Sequence, residues 1–331
     1  ITMVSSRGCP MPCSYCSVSA STAHARFRQR EVTDVLREIK EQASGLDIGF
    51  IDFEDENLAL EKKWILTLLS GLDQIFKGNP NFKGPIPELR AMNGLYPPSL
   101  DREIMRAMQA SGFKTINLSL GSFSRDQLVR FKRPDVRRSH DRALDLAQDL
   151  GLTCVSYVIA AAPGQSAASS LEDLFCLAQR RTLVGLSIFY PAPGSLDYRL
   201  CQEKELLPSR FSLMRSTALP LDNTTTRLEA VTLLRLARIL NFIKTRIDSH
   251  GNLPQEKRFN EKSNAGEVLG GNRDAISHKL VQYFLQDGIV RGVDKKGRIY
   301  AHKTDAHLCQ KFIKQIKILP LMGVEKGPLK F

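Results

Sequence analysis

The feature that most narrows the fold is an alternation of two kinds of segment through the first 190 residues. Six stretches, 1–6, 48–53, 88–92, 115–120, 153–160 and 184–190, are short, rich in β-branched or aromatic side chains and bounded by breakers, so they read as buried strands. Longer stretches with helical spacing lie between them. Val32, Val35, Leu36 and Ile39 recur at i, i+3, i+4 and i+7, with Gly45 where that helix should stop. Residues 61–76, 98–111, 137–150 and 169–181 follow the same plan, with Pro98 at a helix start and Gly112 and Gly151 at helix ends. Parallel strands need long crossover connections, and helices supply them. The order therefore specifies an α/β fold with a parallel sheet, closed or open, and functional groups at the carboxyl ends of its strands.

The pattern changes after Pro191-Ala192-Pro193-Gly194-Ser195. Residues 197–226 are irregular and 227–248 form a strong helix, with Leu228, Val231, Leu234, Leu236, Ala237, Leu240 and Ile243 largely to one side. A helix over 274–287 leads into runs 289–293 and 298–302, joined by Asp294-Lys295-Lys296-Gly297 in the manner of a hairpin, and a last helix covers 305–318. The expected division is 1–195 as a β/α domain and 196–331 as a smaller α+β extension of winged-helix character, packed against it.

Composition removes several classes. A hydrophobic content of 42% with 25% charged residues is that of a globular chain. No apolar run approaches the ~18 residues of a membrane span, and the start, Ile1-Thr2-Met3-Val4, lacks the basic and apolar regions of a secretory signal. Opening directly on a strand is what a piece of a longer protein would do. The net charge of +12 concentrates at Arg125, Arg130, Lys132, Arg133, Arg137, Arg138 and Arg142. With no interleaved aromatic platform, this reads as a solvated helix face in preference to a nucleic-acid surface. Of seven cysteines, Cys154 and Cys176 sit in apolar contexts as core residues, while Cys201 and Cys309 have no assigned role. An odd, scattered count argues for a reducing compartment, hence the cytoplasm.

The remaining three carry the chemistry. Cys9-Pro10-Met11-Pro12-Cys13-Ser14-Tyr15-Cys16 has the spacing C-x3-C-x2-C directly after the first strand. Two prolines forbid a regular helix, so the backbone runs as a loop able to wrap three thiolates around one centre, and Gly8 allows a tight exit from the strand. Three thiolates leave one iron of a four-iron cluster open to a small molecule. The alternative is structural zinc, with His24 as a fourth ligand.

Residues 7–17, including the aromatic Tyr15 before the third Cys, resemble the cluster loop of the radical S-adenosylmethionine (SAM) superfamily. The resemblance covers about 1–195 and implies a partial (β/α)6 TIM-like barrel. It also implies a [4Fe–4S] cluster on Cys9, Cys13 and Cys16, SAM on the open iron, reduction by flavodoxin or ferredoxin, and cleavage to a 5′-deoxyadenosyl radical. Phe53-Glu54-Asp55-Glu56-Asn57 resembles the acidic motif whose carboxylate, Asp55 or Glu56, meets the SAM amino group. Asn93 follows strand three, facing the substrate. Ser119 and Arg133 belong to the strand-four region, where Gly121 stands in place of the common Glu. Ile159 and Ala161 belong to the strand-five turn that meets the adenine.

Residues 187–195 resemble strand six of radical SAM proteins that carry a cobalamin-binding domain ahead of the barrel, which leaves cobalamin to a domain outside this chain. Asp248-Ser249-His250 and Asp305-Ala306-His307 imitate a D-x-H-x-x-G cobalamin signature, but neither has its Gly. They read as surface histidines. The leading expectation is thus a cobalamin-type radical SAM enzyme acting on an unactivated carbon of an unidentified substrate, with no catalytic side chain assigned. An RNA-modifying enzyme of methylthiotransferase type is the second, though no second cysteine triad supports it. A non-catalytic zinc module is the third.

Overall fold

Three short strands, β1 (Thr2–Met3), β2 (Ser6–Arg7) and β3 (Arg28–Gln29), open the chain, with helix α1 (Ser17–Ala20) before the third. Then follow α2 (Val32–Ala43), β4 (Phe50–Phe53), α3 (Lys62–Phe76), β5 (Glu88–Arg90), α4 (Arg102–Ser111), β6 (Thr115–Gly121), α5 (Arg125–Arg130), α6 (Arg137–Asp149) and β7 (Thr153–Ala160). The structure is a computed structural model that describes residues 1–20, 26–44, 46–78, 84–210, 212–213, 224–259, 269 and 271–324, with the side chains of 19 and 20 excepted. His24 and Gly45 fall outside the described residues. Contacts divide the chain into two units, Ile1–Val158 with Pro191–Glu205, and Ile159–Tyr190 with Leu206–Phe331.

In the first unit β1, β4 and β5 are parallel neighbours, with Thr2 opposite Asp52 and Asp52 opposite Arg90. Parallel bridges Leu89–Phe113 and Leu95–Leu118 carry the array on to β6, which pairs in parallel with β7 from Thr115–Thr153 onward. The described strands form parallel α/β layers and no closed barrel. Side chains alternate, so Met3, Ile51, Phe53, Leu89, Ile116 and Leu118 pack into a core with Val35 and Ile39 of α2, Leu68 and Leu72 of α3 and Met105 and Met108 of α4. Each such side chain contributes roughly 1.5–3 kcal/mol by leaving water. The same alternation turns Asp52 and Arg90 to the opposite face.

The structure corrects three boundaries. The expected strand 1–6 is two pieces, because pairing changes at Val4–Ser5: β1 is parallel to β4, whereas β2 is antiparallel to β3. The helix expected from Pro98 begins at Arg102. Pro97–Ser99 is a 3-10 turn, and Asp101 caps the helix by accepting the Ile104 N–H at 2.9 Å. The sixth strand, β8 (Leu183–Ile188), stops before Phe189 and Tyr190.

The first unit also includes α8 (Leu196–Glu203), and the second begins with α7 (Ala167–Ala178) and β8. It continues with α9 (Arg227–His250), α10 (Arg273–Asp287), the antiparallel pair β9 (Arg291–Val293) and β10 (Ile299–Ala301), and α11 (Ala306–Ile316). The long helix and the hairpin therefore stand where the periodicity places them. Thr226 and Glu229 form a reciprocal capping box at the start of α9. The two D-x-H segments have structural roles: Asp305 caps α11 through the Leu308 N–H, and Asp248 accepts the Val324 N–H at 2.6 Å.

Within this unit, Lys244 of α9 is fully buried. Its Nζ donates to the carbonyls of Leu177 (3.1 Å), Ala178 (3.4 Å), Arg180 (2.6 Å) and Met322 (2.7 Å), so a cation closes the C-terminal end of α7. Burial pushes its pKa down to about 7.

Candidate functional site

The cysteine loop leaves β2 through Gly8, whose φ of 91° suits a residue without Cβ. Cys13 is buried and Cys9 and Cys16 are partly exposed, and none of the three is in a disulfide. The Cys16 N–H donates to the Cys13 carbonyl at 3.2 Å, closing a turn. Burial pushes the Cys9 thiol pKa up, and Cys13 and Cys16 add to the rise, so the three sulfurs lie within electrostatic reach of one another.

Side chains from several strand ends fasten this loop. Glu56, beyond β4, accepts the Gly8 N–H at 3.1 Å. Arg133, beyond β6, donates from Nη1 to the Tyr15 hydroxyl at 3.1 Å and lies 3.7 Å from the Cys13 sulfur. Its other nitrogens bond the carbonyls of Leu120 (3.0 Å) and Ser119 (2.5 Å) and the Ser119 hydroxyl (3.0 Å). Burial opposes the Arg133 charge, but Tyr15 and Cys13 facing it hold its pKa above the ordinary value; burial raises that of Tyr15. Tyr15 also packs edge-on against Phe131, with ring centroids 4.9 Å apart. The basic run is therefore not one solvated face: Arg133 turns inward, and Arg137 is held by Asp135 at 2.6 Å.

Gly121 explains how Arg133 gets in. It ends β6 with φ +91°, and a Cβ built there would lie 2.9 Å from Arg133 Cδ and 3.2 Å from Nε. The space that a larger residue would take is occupied by the arginine stem.

The two carboxylates of the acidic motif separate. Asp55 is 3% exposed. It accepts the Ser5 N–H (3.2 Å), the Ser5 hydroxyl (2.8 Å) and the Ser6 hydroxyl, so its oxygens tie the end of β1 to β2. Burial raises its pKa against those bonds. Glu56 is the carboxylate turned to the cluster loop. Asn93 is exposed and donates to Glu54 at 3.1 Å. Ser119 is in the Arg133 knot. Ile159 and Ala161 belong to the second unit, where Ala161 is fully buried with φ 56°, unusual for a residue with Cβ.

A contact with no local signal is Asp197, in the first turn of α8. The Ser14 hydroxyl donates to its carboxylate at 2.9 Å, and its own N–H donates to the Ser14 carbonyl at 3.0 Å. The Ser14 N–H meets the Phe131 carbonyl at 2.8 Å. The Pro-Gly segment after strand six thus folds back as a brace on residue 14. Ser195 before it is a recognisable helix cap, but a cap does not reveal which loop its helix will meet.

A Ser156–His140–Asp141 arrangement, with Nε2 2.7 Å from the serine hydroxyl, imitates a hydrolytic triad. Ser156 and His140 are both 0% exposed, so no substrate reaches them.

With the loop and its supports in place, the chain can be set beside known proteins. The family model of the radical SAM superfamily matches residues 3–174, more than half of the chain. The chain belongs to the radical SAM superfamily. No curated protein matches it significantly. Among solved structures, the radical SAM methyltransferase TsrM from Kitasatospora setae, with tryptophan substrate and a SAM analogue bound, is 18% identical with a TM-score of 0.53, over 61% of this chain and 38% of that one. The cobalamin-dependent radical SAM enzyme OxsB, with aqua-cobalamin and SAM bound, is 14% identical with a TM-score of 0.50, over 96% of this chain and 53% of that one. The radical SAM chain thus spans less than two thirds of either neighbour, and the likeness is one of fold.

Membership makes the chain an enzyme of a family whose cofactors are a [4Fe–4S] cluster and SAM. The residues present fit both groups. Three neighbouring thiols on an open loop suit a cluster that offers each its own iron. In and just after β4, Asp52 has one buried carboxylate oxygen unpartnered, and Asn57, 2% exposed, has a carboxamide oxygen with no partner. These are acceptors ready for a donor such as an ammonium or hydroxyl group.

Proposed function

We propose that Cys9, Cys13 and Cys16 hold three irons of the [4Fe–4S] cluster and that SAM takes the fourth, with Glu56 on the amino-group side. The β/α part, 1–195, would carry this chemistry, and 196–331 would be an extension. The observation that supports this reading best is the convergence on one loop of residues from separate strand ends, Glu56 on Gly8 and Arg133 on Cys13 and Tyr15. When bound, the reduced cluster supplies the electron that cleaves SAM to methionine and a 5′-deoxyadenosyl radical. The chain's own part is orientation and shielding. Glu56 fixes the start of the loop, Arg133 fixes Cys13 and Tyr15 and places a cation beside the sulfur, and Asp197 holds Ser14 between the second and third cysteines.

The reading extends to cobalamin, held by a domain outside this chain, with methyl transfer or ring formation at an unactivated carbon as the outcome. The strand-six segment 187–195 favours it, as does the cobalamin bound in the OxsB neighbour. A reduced flavodoxin or ferredoxin is the expected electron donor and the cytoplasm the expected site. No described helix is long and apolar enough to cross a membrane.

The test is anaerobic reconstitution with iron and sulfide, followed by incubation with SAM and dithionite, with and without cobalamin. Iron–sulfur absorption with release of 5′-deoxyadenosine or a transferred methyl group is the expected result. A colourless, zinc-loaded protein that leaves SAM intact would end the reading.

A further inference from the structure

The second unit contains a cavity that the radical chemistry does not use. Helices α9 and α10 are pinned to each other at one end by an ion pair of Arg246 with Asp274 at 3.1 Å. Beyond that pair they frame a trough of about 650 Å³, floored by Phe242, Leu280, Val281 and Phe284. That volume lies within the roughly 300–1,000 Å³ usual for small-molecule sites.

Its charges are all of one sign. Arg238, Arg273 and Arg291 line it, and no acidic side chain does. Arg291 is already neutralised, with Asp287 at 2.7 and 3.0 Å and the Phe259 ring 4.1 Å beneath its guanidinium. Arg238 and Arg273 are different: both are exposed and neither has a hydrogen bond or ion pair among the described residues. Arg273 adjoins Asp274 at the pinned end. Arg238 lies eight residues up α9 from Arg246, which is about 12 Å along the axis. The trough is therefore apolar along its floor with an uncompensated cation toward each end. Ser277 lines it between them, its hydroxyl also unpartnered.

We infer that this trough is a binding site for an elongated, mainly apolar organic molecule with an anionic group, carboxylate or phosphate, at each end. The floor takes the apolar body by desolvation, and the two guanidinium groups take the anions through charge-assisted, bidentate bonds. A volume of this size suits a small molecule and not a protein surface. The site is independent of the cysteine loop, so its failure would leave the proposed function untouched, and the reverse holds too.

The test is calorimetric titration of the full chain with dodecanedioate, using dodecanoate and succinate as comparisons. Dodecanedioate is expected to bind saturably, dodecanoate about tenfold more weakly, as loss of one charge-assisted bond gives, and succinate not measurably. Arg238→Glu and Arg273→Glu should each weaken dodecanedioate by about tenfold or more. Ser277→Trp, which fills the trough without changing charge, should abolish binding. Both arginines are exposed and unpaired, so the melting temperature of each reversal should match the parent. No saturable binding, equal affinity for dodecanoate, unchanged affinity in both reversals, or preference for an acidic peptide over dodecanedioate would each overturn the inference.

Discussion

Gly121 and Arg133 form a pair whose coupling can be measured. Gly121→Ala puts a Cβ at φ +91°, in the left-handed region, which costs about 1–2 kcal/mol in backbone strain alone. The same Cβ would stand 2.9 Å from Arg133 Cδ and 3.2 Å from its Nε, so the arginine stem must shift. Arg133 makes bonds to the Leu120 and Ser119 carbonyls, the Ser119 hydroxyl and the Tyr15 hydroxyl. Losing one bond from a charged donor costs about 1.5–3 kcal/mol. The single substitution should therefore destabilise by roughly 2.5–5 kcal/mol, the sum of the two ranges.

In an Arg133→Ala background the steric part vanishes and only the backbone cost of about 1–2 kcal/mol remains. The double-mutant cycle, read by urea denaturation under anaerobic conditions, should give a coupling of about 1.5–3 kcal/mol. Simple additivity of the two substitutions would refute the idea that Gly121 exists to admit Arg133.

Three further outcomes follow from the same contacts. Cys13→Ala should abolish the iron–sulfur absorption after reconstitution while leaving the circular dichroism spectrum unchanged. Asp197→Ala removes the acceptor of the Ser14 hydroxyl, which is worth about 1 kcal/mol, and should speed loss of cluster absorption in the presence of a chelator, with Asp197→Asn closer to the parent. For Lys244, folding lowers the pKa from 10.5 to about 7, so between those values the unfolded chain binds the extra proton and stability rises with pH; below pH 7 the full cost is present. The stability difference between the parent and Lys244→Met, measured by urea denaturation, should shift in the parent's favour by up to about 1.4 kcal/mol per pH unit across that window. A constant difference would show that Lys244 does not titrate there.

The course of the chain was legible because strand and helix signals are local. Ile51 and Phe53 alternate with Asp52, and Val35 and Ile39 repeat along one helix face, whatever the rest of the protein does. The cysteine loop was legible for a similar reason: three thiols within eight residues, interrupted by two prolines, can do little else than wrap one centre. Boundaries were less so. Pro98 has the φ of a helix start, yet Asp101 supplies the cap, and the first strand breaks where its pairing partner changes from β4 to β3.

The partners of side chains were the least legible part. Asp55 and Glu56 are adjacent and chemically alike, and only the fold turns one in to Ser5 and Ser6 and the other to Gly8. Asp197 is 183 positions from Ser14, and the bond between them exists because α8 returns to the loop. The missing Glu at 121 reads in sequence as a loss; in three dimensions it is the gap through which Arg133 passes. The sequence by itself determined the alternation of strands and helices, the cysteine triad and the family, because each depends on residues close together in the chain. Only the tertiary structure decided which charges meet the triad and which are spent on the scaffold, because burial and hydrogen bonding are set by distant elements.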